Sequence, residues 1–271
     1  MPQNPQTPIQ ISVINASTVL QDSDIALVVD ALQQQVTHDF LPVWGVDAQL
    51  TFIPSGTPPP PGTWWLSILD DSDQAGALGY HDLTPDGLPI GKVFAGTDLK
   101  LGSSWSVTAS HELLEMLADP NINLTVLVQT DSQTAGTLYA YEVCDACEAD
   151  NLGYQIGDVL VSDFVLPAWF ESFRAPNSTQ FDHQGRITAP LGLLPGGYIG
   201  AFDISAGSGW HQVTAEKTPA SFLIRGNVGS RRERRSVPRY QWLKSLPHKQ
   251  ITSNLTKYLE RTHAVAKRKA A

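Results

Sequence analysis

Apolar and polar residues alternate from Ile9 to Asn15 (I-Q-I-S-V-I-N), the period of a strand with one buried face. From Asp22 to Phe40 the period changes: Ile25, Val28, Val29, Leu32 and Val36 recur at helical spacing, so the chain passes from strand to helix. Gln49 to Ile53 and Trp64 to Leu69 read as two short strands, joined by the proline-rich Pro54 to Gly62, which can only be loop. Gly79 to Phe94 is broken by prolines and glycines, as an edge strand or a substrate-facing segment would be. Ser106 to Pro120 is again helical, with Pro120 as its stop. Further on, the apolar and aromatic run within Tyr154 to Phe173 is interrupted at Pro167 and reads as a strand followed by a packed segment. Phe181 to Gly226 carries short strands around the turns Leu194 to Gly197 and Ser205 to Gly209. Gln250 to His263 places Ile251, Leu255, Tyr258 and Leu259 on one side of a terminal amphipathic helix.

The helix before Pro120 carries the chemistry. Residues four apart share a helical face, so His111 and Glu115 can aim an imidazole nitrogen and a carboxylate oxygen at one cation, with Glu112 beside them as a further carboxylate. H-E-x-x-E also arises by chance on solvated helices. The order of elements around it gives it weight. The spacing is that of H-E-x-x-H, in which two zinc ligands flank a general base, with the second histidine replaced by a glutamate. Zinc accepts carboxylate oxygen, although the added negative charge weakens the metal as a Lewis acid.

Strand, helix, strands, irregular edge strand and H-E helix, in that order over roughly residues 9 to 120, resemble the N-terminal half of the zincin metallopeptidase fold. The resemblance implies a mixed sheet with an active-site helix, Zn2+ as cofactor, a peptide or protein as substrate, and Glu112 as general base. It also implies that Gly79 to Phe94 lines a cleft, which would bring Tyr80 and His81 near the substrate; read by itself, His81 is a surface histidine in a turn. The metzincin pattern would need glycine at 118 and histidine at 121, where this chain has Ala118 and Asn121. The glutamate-ligand subfamily takes its third ligand from beyond the helix, and Glu142, Asp145 and Glu148 are the candidates, in that order of preference for the first two. Alternation along the preceding strand sets Glu142 on the face opposite Tyr139, Tyr141 and Val143. Tyr141 is the tyrosine available to stabilise an oxyanion. Asp119, four beyond Glu115, either orients a ligand or ends the helix. The 142–148 cluster also reads as an acidic loop with weak Ca2+ affinity.

Cys144 and Cys147 are the only cysteines and form a C-x-x-C without a thioredoxin-like context, so reduced, partly buried thiols are expected. Together with His111 as ligands and Glu112 as proton shuttle they also resemble a nucleoside-deaminase set, though the glutamate directly follows the histidine and no proline precedes Cys144. His183 and His211 lie near turns, where lone histidines are usually surface residues.

The 271 residues, 42% hydrophobic, suffice for a substantial core. No apolar run approaches twenty residues and Met1 to Pro8 lacks signal-peptide character, so a cytoplasmic protein is expected, with non-classical export open. Charge is strongly polarised: positions 225 to 271 hold 13 of the 18 Lys+Arg and 2 of the 27 Asp+Glu, a net of +11 against −20 for the rest. Such an end can dock on the acidic body or on a larger assembly; no nucleic-acid fold accompanies it, which disfavours a nucleic-acid partner. The expected organisation is an α+β protein with a zincin-like metal-binding domain at 1–175, a β-rich subdomain at 176–228 and a basic helical tail at 229–271. A zinc-dependent peptidase is the function expected; a zincin scaffold without catalysis, used for binding or assembly, is the rival.

Overall fold

The computed structural model describes residues 7–73, 77–129, 135–206, 209–215 and 221–223. The basic tail expected at 229–271, and its amphipathic helix, lie outside these residues.

The architecture is mixed α and β. Strand β1 (Ile9–Asn15) leads into helix α1 (Asp22–Gln34), whose first turn carries Asp22 and Asp24 where the helix dipole favours acids. The helix continues through a wider turn, Gln35–Phe40, into the short α2 (Leu41–Trp44), which Gly45 ends at φ 69°. Strands β2 (Ala48–Ile53) and β3 (Trp64–Leu69) both pair parallel to β1, on its two sides.

The segment read as one irregular edge strand is a hairpin. β4 (Gly79–Leu83) and β5 (Pro89–Phe94) pair antiparallel around the turn Thr84 to Leu88, where Gly87 takes φ 82° and the Leu88 N–H donates to Thr84 Oγ1 at 3.0 Å. β5 pairs parallel with β3 and lies inside the sheet; only β4 is an edge, in the order β2-β1-β3-β5-β4. Pro89 is tolerated because it is the first residue of its strand.

One face of this sheet, with Ile11, Val13, Leu66, Ile68 and Val93, shares a core with Ile25, Val29 and Leu32 of α1 and with Ala109, Leu113 and Leu114 of helix α4 (Trp105–Ala118). Helix α3 (Ala95–Leu101) joins β5 to α4. The other face buries a smaller group, Leu69, Tyr80, Ile90 and Phe94. Helix α4 is almost wholly internal, because its far side is covered by the segment around Val143, Phe164 and Trp169, which belong to the same core. Ser110 at the middle of α4 donates to Gln35 Oε1 at 2.7 Å and accepts from the Ser162 N–H at 3.0 Å, while Gln35 Nε2 donates to the Ser162 carbonyl at 2.9 Å. Three polar residues thus satisfy one another inside the core and fix the depth of α4.

A second, antiparallel sheet has the order β12-β11-β10-β7-β6, formed by β6 (Thr125–Gln129), β7 (Gly136–Ala140), β10 (Tyr198–Asp203), β11 (Trp210–Thr214) and β12 (Ser221–Leu223). Between its halves lies a small hairpin, β8 (Tyr154–Ile156) with β9 (Val159–Val161). The second sheet joins strands from both sides of position 175, since β7 pairs with β10. No helix among the described residues is long and apolar enough to cross a membrane.

Candidate metal centre

His111, Glu112 and Glu115 all lie on the covered side of α4 and are 8%, 4% and 0% exposed. That is the consequence of an amphipathic pattern with two apolar faces: sheet on one side, the 143–170 segment on the other. Nε2 of His111 stands 3.2 Å from Glu115 Oε1 and 3.3 Å from Asp145 Oδ1. Asp145 opens a short 3-10 turn, Asp145–Cys147, and is itself 4% exposed. The turn is tied to the helix by Cys144, whose backbone N–H donates to Glu115 Oε1 at 3.2 Å. Its other side is pressed by Gly197, where a Cβ would come within 2.3 Å of the Ala146 carbonyl oxygen, so only glycine permits the approach.

Asp145, rather than the first-ranked Glu142, is the carboxylate that stands beside His111 and Glu115. Ligand atoms of His111, Glu115 and Asp145 lie within 4.8 Å of one another, and so do those of His81, Glu115 and Glu142. Glu142 is buried two residues beyond the end of β7. Glu148, partly exposed, stays at the margin, its carboxyl pushed up to about 8 by burial and by the Asp145 charge.

His81 is not a surface histidine. On β4 the period of two turns Gly79 and His81 toward α4 and Tyr80 away from it, where its hydroxyl meets Lys92 and Asp73. His81 is wholly buried, with Nε2 3.2 Å from the backbone carbonyl of Asp119 and Nδ1 3.7 Å from Glu112 Oε2 and 3.9 Å from Glu115 Oε2. No local signal marks this, since a histidine among prolines and glycines reads the same whether exposed or buried. Asp119 ends the helix, one of the two roles open to it. Its carboxylate accepts the N–H groups of Asn123 and Leu124, each at 2.9 Å, to close the helix end, and its carbonyl orients His81.

Burial and the crowding of carboxylates shift the members of this group upward. Burial raises Glu115 to about 7, reinforced by the Asp145 charge and opposed by His111. Burial by itself would strip the proton from His111, but Glu115, Asp145 and Glu112 outweigh it and hold the imidazole well above its usual range. Asp145 Oδ1 is sealed from solvent and makes no hydrogen bond among the described residues, at 3.3 Å from a His111 nitrogen that also faces Glu115. A cation placed among these atoms would meet both carboxylates and the imidazole at once. The donor set of one imidazole and two carboxylates fits a divalent metal. These buried His, Glu and Asp groups can thus hold a metal ion.

Tyr141 lies in an aromatic cluster, stacked on Phe170 at 4.5 Å and edge-on to Trp44 at 5.7 Å, with its hydroxyl pKa raised by burial and by Asp119. Cys144 and Cys147 are free and fully buried, and burial pushes both thiols far up. Neither joins a metal-type group among the described residues. His183 stacks on Phe164, with Nε2 3.9 Å from Asp39, and helps line a separate cavity of about 280 Å³ with Tyr154 and His38. His211 sits on β11, partnered to Ala201 and Leu223. Comparison with protein-family models, with curated proteins and with solved structures finds no match to this chain.

Proposed function

We propose that the chain is a zincin-like, metal-dependent peptidase whose metal is held by His111, Glu115 and Asp145. The observation that carries this reading is the convergence of those three buried side chains at one end of the face on which Glu112 also lies, beside an antiparallel edge strand. When bound, a zinc ion would supply Lewis acidity toward a peptide carbonyl and toward water. The imidazole in each group favours a transition metal such as Zn2+ over Ca2+, which prefers oxygen ligands alone.

Glu112 acts as the base. It takes a proton from the attacking water and returns it to the leaving amine, the two halves of one general acid–base cycle. Tyr141, a phenol protonated at neutral pH, is the donor proposed for the oxyanion. The edge strand β4 offers backbone groups to an extended peptide.

A scaffold without catalysis is the second reading. What favours it is the tight cover over Glu112, which is only 4% exposed beneath Gly79. Hydrolysis of an unstructured protein such as casein, followed with zinc-loaded chain, separates the two. The peptidase cleaves, and Glu112→Gln loses at least 100-fold in rate while keeping its zinc, in line with the ~10²–10⁴-fold share of general acid–base catalysis. No cleavage by the zinc-loaded chain leaves the scaffold, and equal rates of cleavage for chain and variant refute Glu112 as the base.

A further inference from the structure

We infer that the centre is dinuclear: Glu115 bridges two divalent transition-metal ions, one held with His111 and Asp145, the other with His81 and Glu142. The inference shares the first metal with the reading above but does not depend on its chemistry.

Glu115 is placed as a bridging carboxylate is. Its Oε1 faces His111 Nε2 at 3.2 Å and its Oε2 faces His81 Nδ1 at 3.9 Å, so each oxygen serves one histidine from a different element of the fold. Both three-residue groups contain Glu115, and all five of their side chains are buried.

His81 supplies the independent observation. A carbonyl oxygen can only accept, so at 3.2 Å from the Asp119 carbonyl Nε2 carries the proton. Nδ1, on the other side of the ring, faces the carboxylates of Glu112 and Glu115 at 3.7 and 3.9 Å. An imidazole that donates its other N–H to a backbone carbonyl is the usual state of a metal-ligating histidine.

Charge in the metal-bound state also favours two ions over one. Glu112, Glu115, Asp119, Glu142 and Asp145 are five buried carboxylates, worth −5 when ionised. With neutral histidines a single divalent ion leaves −3 and a pair leaves −1. The described lysines and arginines are engaged elsewhere: Lys92 with Asp73, Lys100 with Asp71, Arg174 with Glu171, and Arg186 with the Leu152 carbonyl.

The test is metal stoichiometry of the full chain, stripped with chelator and reloaded separately with Zn2+ and Mn2+. Elemental analysis after gel filtration should give two zinc ions per chain, and the manganese form should show the electron paramagnetic resonance spectrum of an exchange-coupled pair. His81→Ala should fall to one ion and lose the coupling. One ion per chain, with the spectrum of isolated manganese, overturns the inference, and so does a folded His81→Ala that retains both ions. Should His81→Ala fail to fold, the wild-type spectrum decides alone. Two coupled ions without peptide cleavage would keep this inference and refute the peptidase; one ion with cleavage would do the reverse.

Discussion

Gly79 on the edge strand lies directly against Glu112 on the central helix: a Cβ at position 79 would come within 2.7 Å of Glu112 Cγ and 2.8 Å of its Oε1. Strand and helix meet there without a side chain between them, and the position of the Glu112 carboxylate is set by backbone. Thr108 Cγ2, also 2.8 Å from that Cβ position, closes the alternative direction. Gly79→Ala should therefore destabilise the fold by about 1–3 kcal/mol through overpacking. Urea unfolding at equilibrium checks this, with an unchanged midpoint as the contrary result.

Ser110, Gln35 and Ser162 bond to one another inside the core. Ser110→Ala leaves the Gln35 carbonyl oxygen and the Ser162 N–H without their partner in a site with no solvent. The expected loss is about 1–3 kcal/mol, larger than the ~1 kcal/mol net value of an ordinary hydrogen bond, because the surviving groups stay desolvated. The same urea measurement reads it, and a loss below ~0.5 kcal/mol would contradict the network.

Metal-free protein should lose stability as pH rises from about 5 to 8. Burial raises Asp98 and Glu115 to about 7 and Glu148 and Asp163 to about 8, so the folded chain keeps protons that the unfolded chain has already released across this window. His111, raised well above its usual range, acts in the same direction: its contribution is present below about pH 6.5 and is lost as pH climbs through its folded value. A metal replaces protons on Glu115 and His111, so added zinc should raise Tm more at about pH 8 than at about pH 5.5. Scanning calorimetry in chelator and in zinc tests both statements; a Tm in chelator that increases toward pH 8 would contradict the first.

Regular periods were legible and burial was not. β1 and β3 occupy Ile9–Asn15 and Trp64–Leu69 as the alternation and apolar runs require, and the helix that bears His111 and Glu115 ends at the proline that stops it. The β4–β5 hairpin was hidden because Pro85, Gly87, Pro89 and Gly91 look like breakage when they are in fact a turn, a strand start and a thin spot under α4, where a Cβ on Gly91 would meet Leu66 at 2.8 Å. His81 was missed for a related reason: nothing local distinguishes an exposed turn histidine from one whose strand is capped by a helix thirty residues on. The choice between Glu142 and Asp145 hung on where β7 stops. It ends at Ala140, so alternation could not be carried to either residue. The β-rich C-terminal stretch was read from its turns, but its pairing with β7 is a long-range contact that periodicity does not carry.

Anomalous scattering tests most directly whether α4 holds a metal. Crystals grown with Zn2+ and measured on both sides of the zinc absorption edge should show an anomalous peak bounded by His111 Nε2, Glu115 Oε1 and Asp145 Oδ1. The peak should be absent in crystals of Glu115→Ala. No peak at that position in zinc-containing crystals, or peaks only at surface residues, would contradict the claim that this buried group is a metal centre.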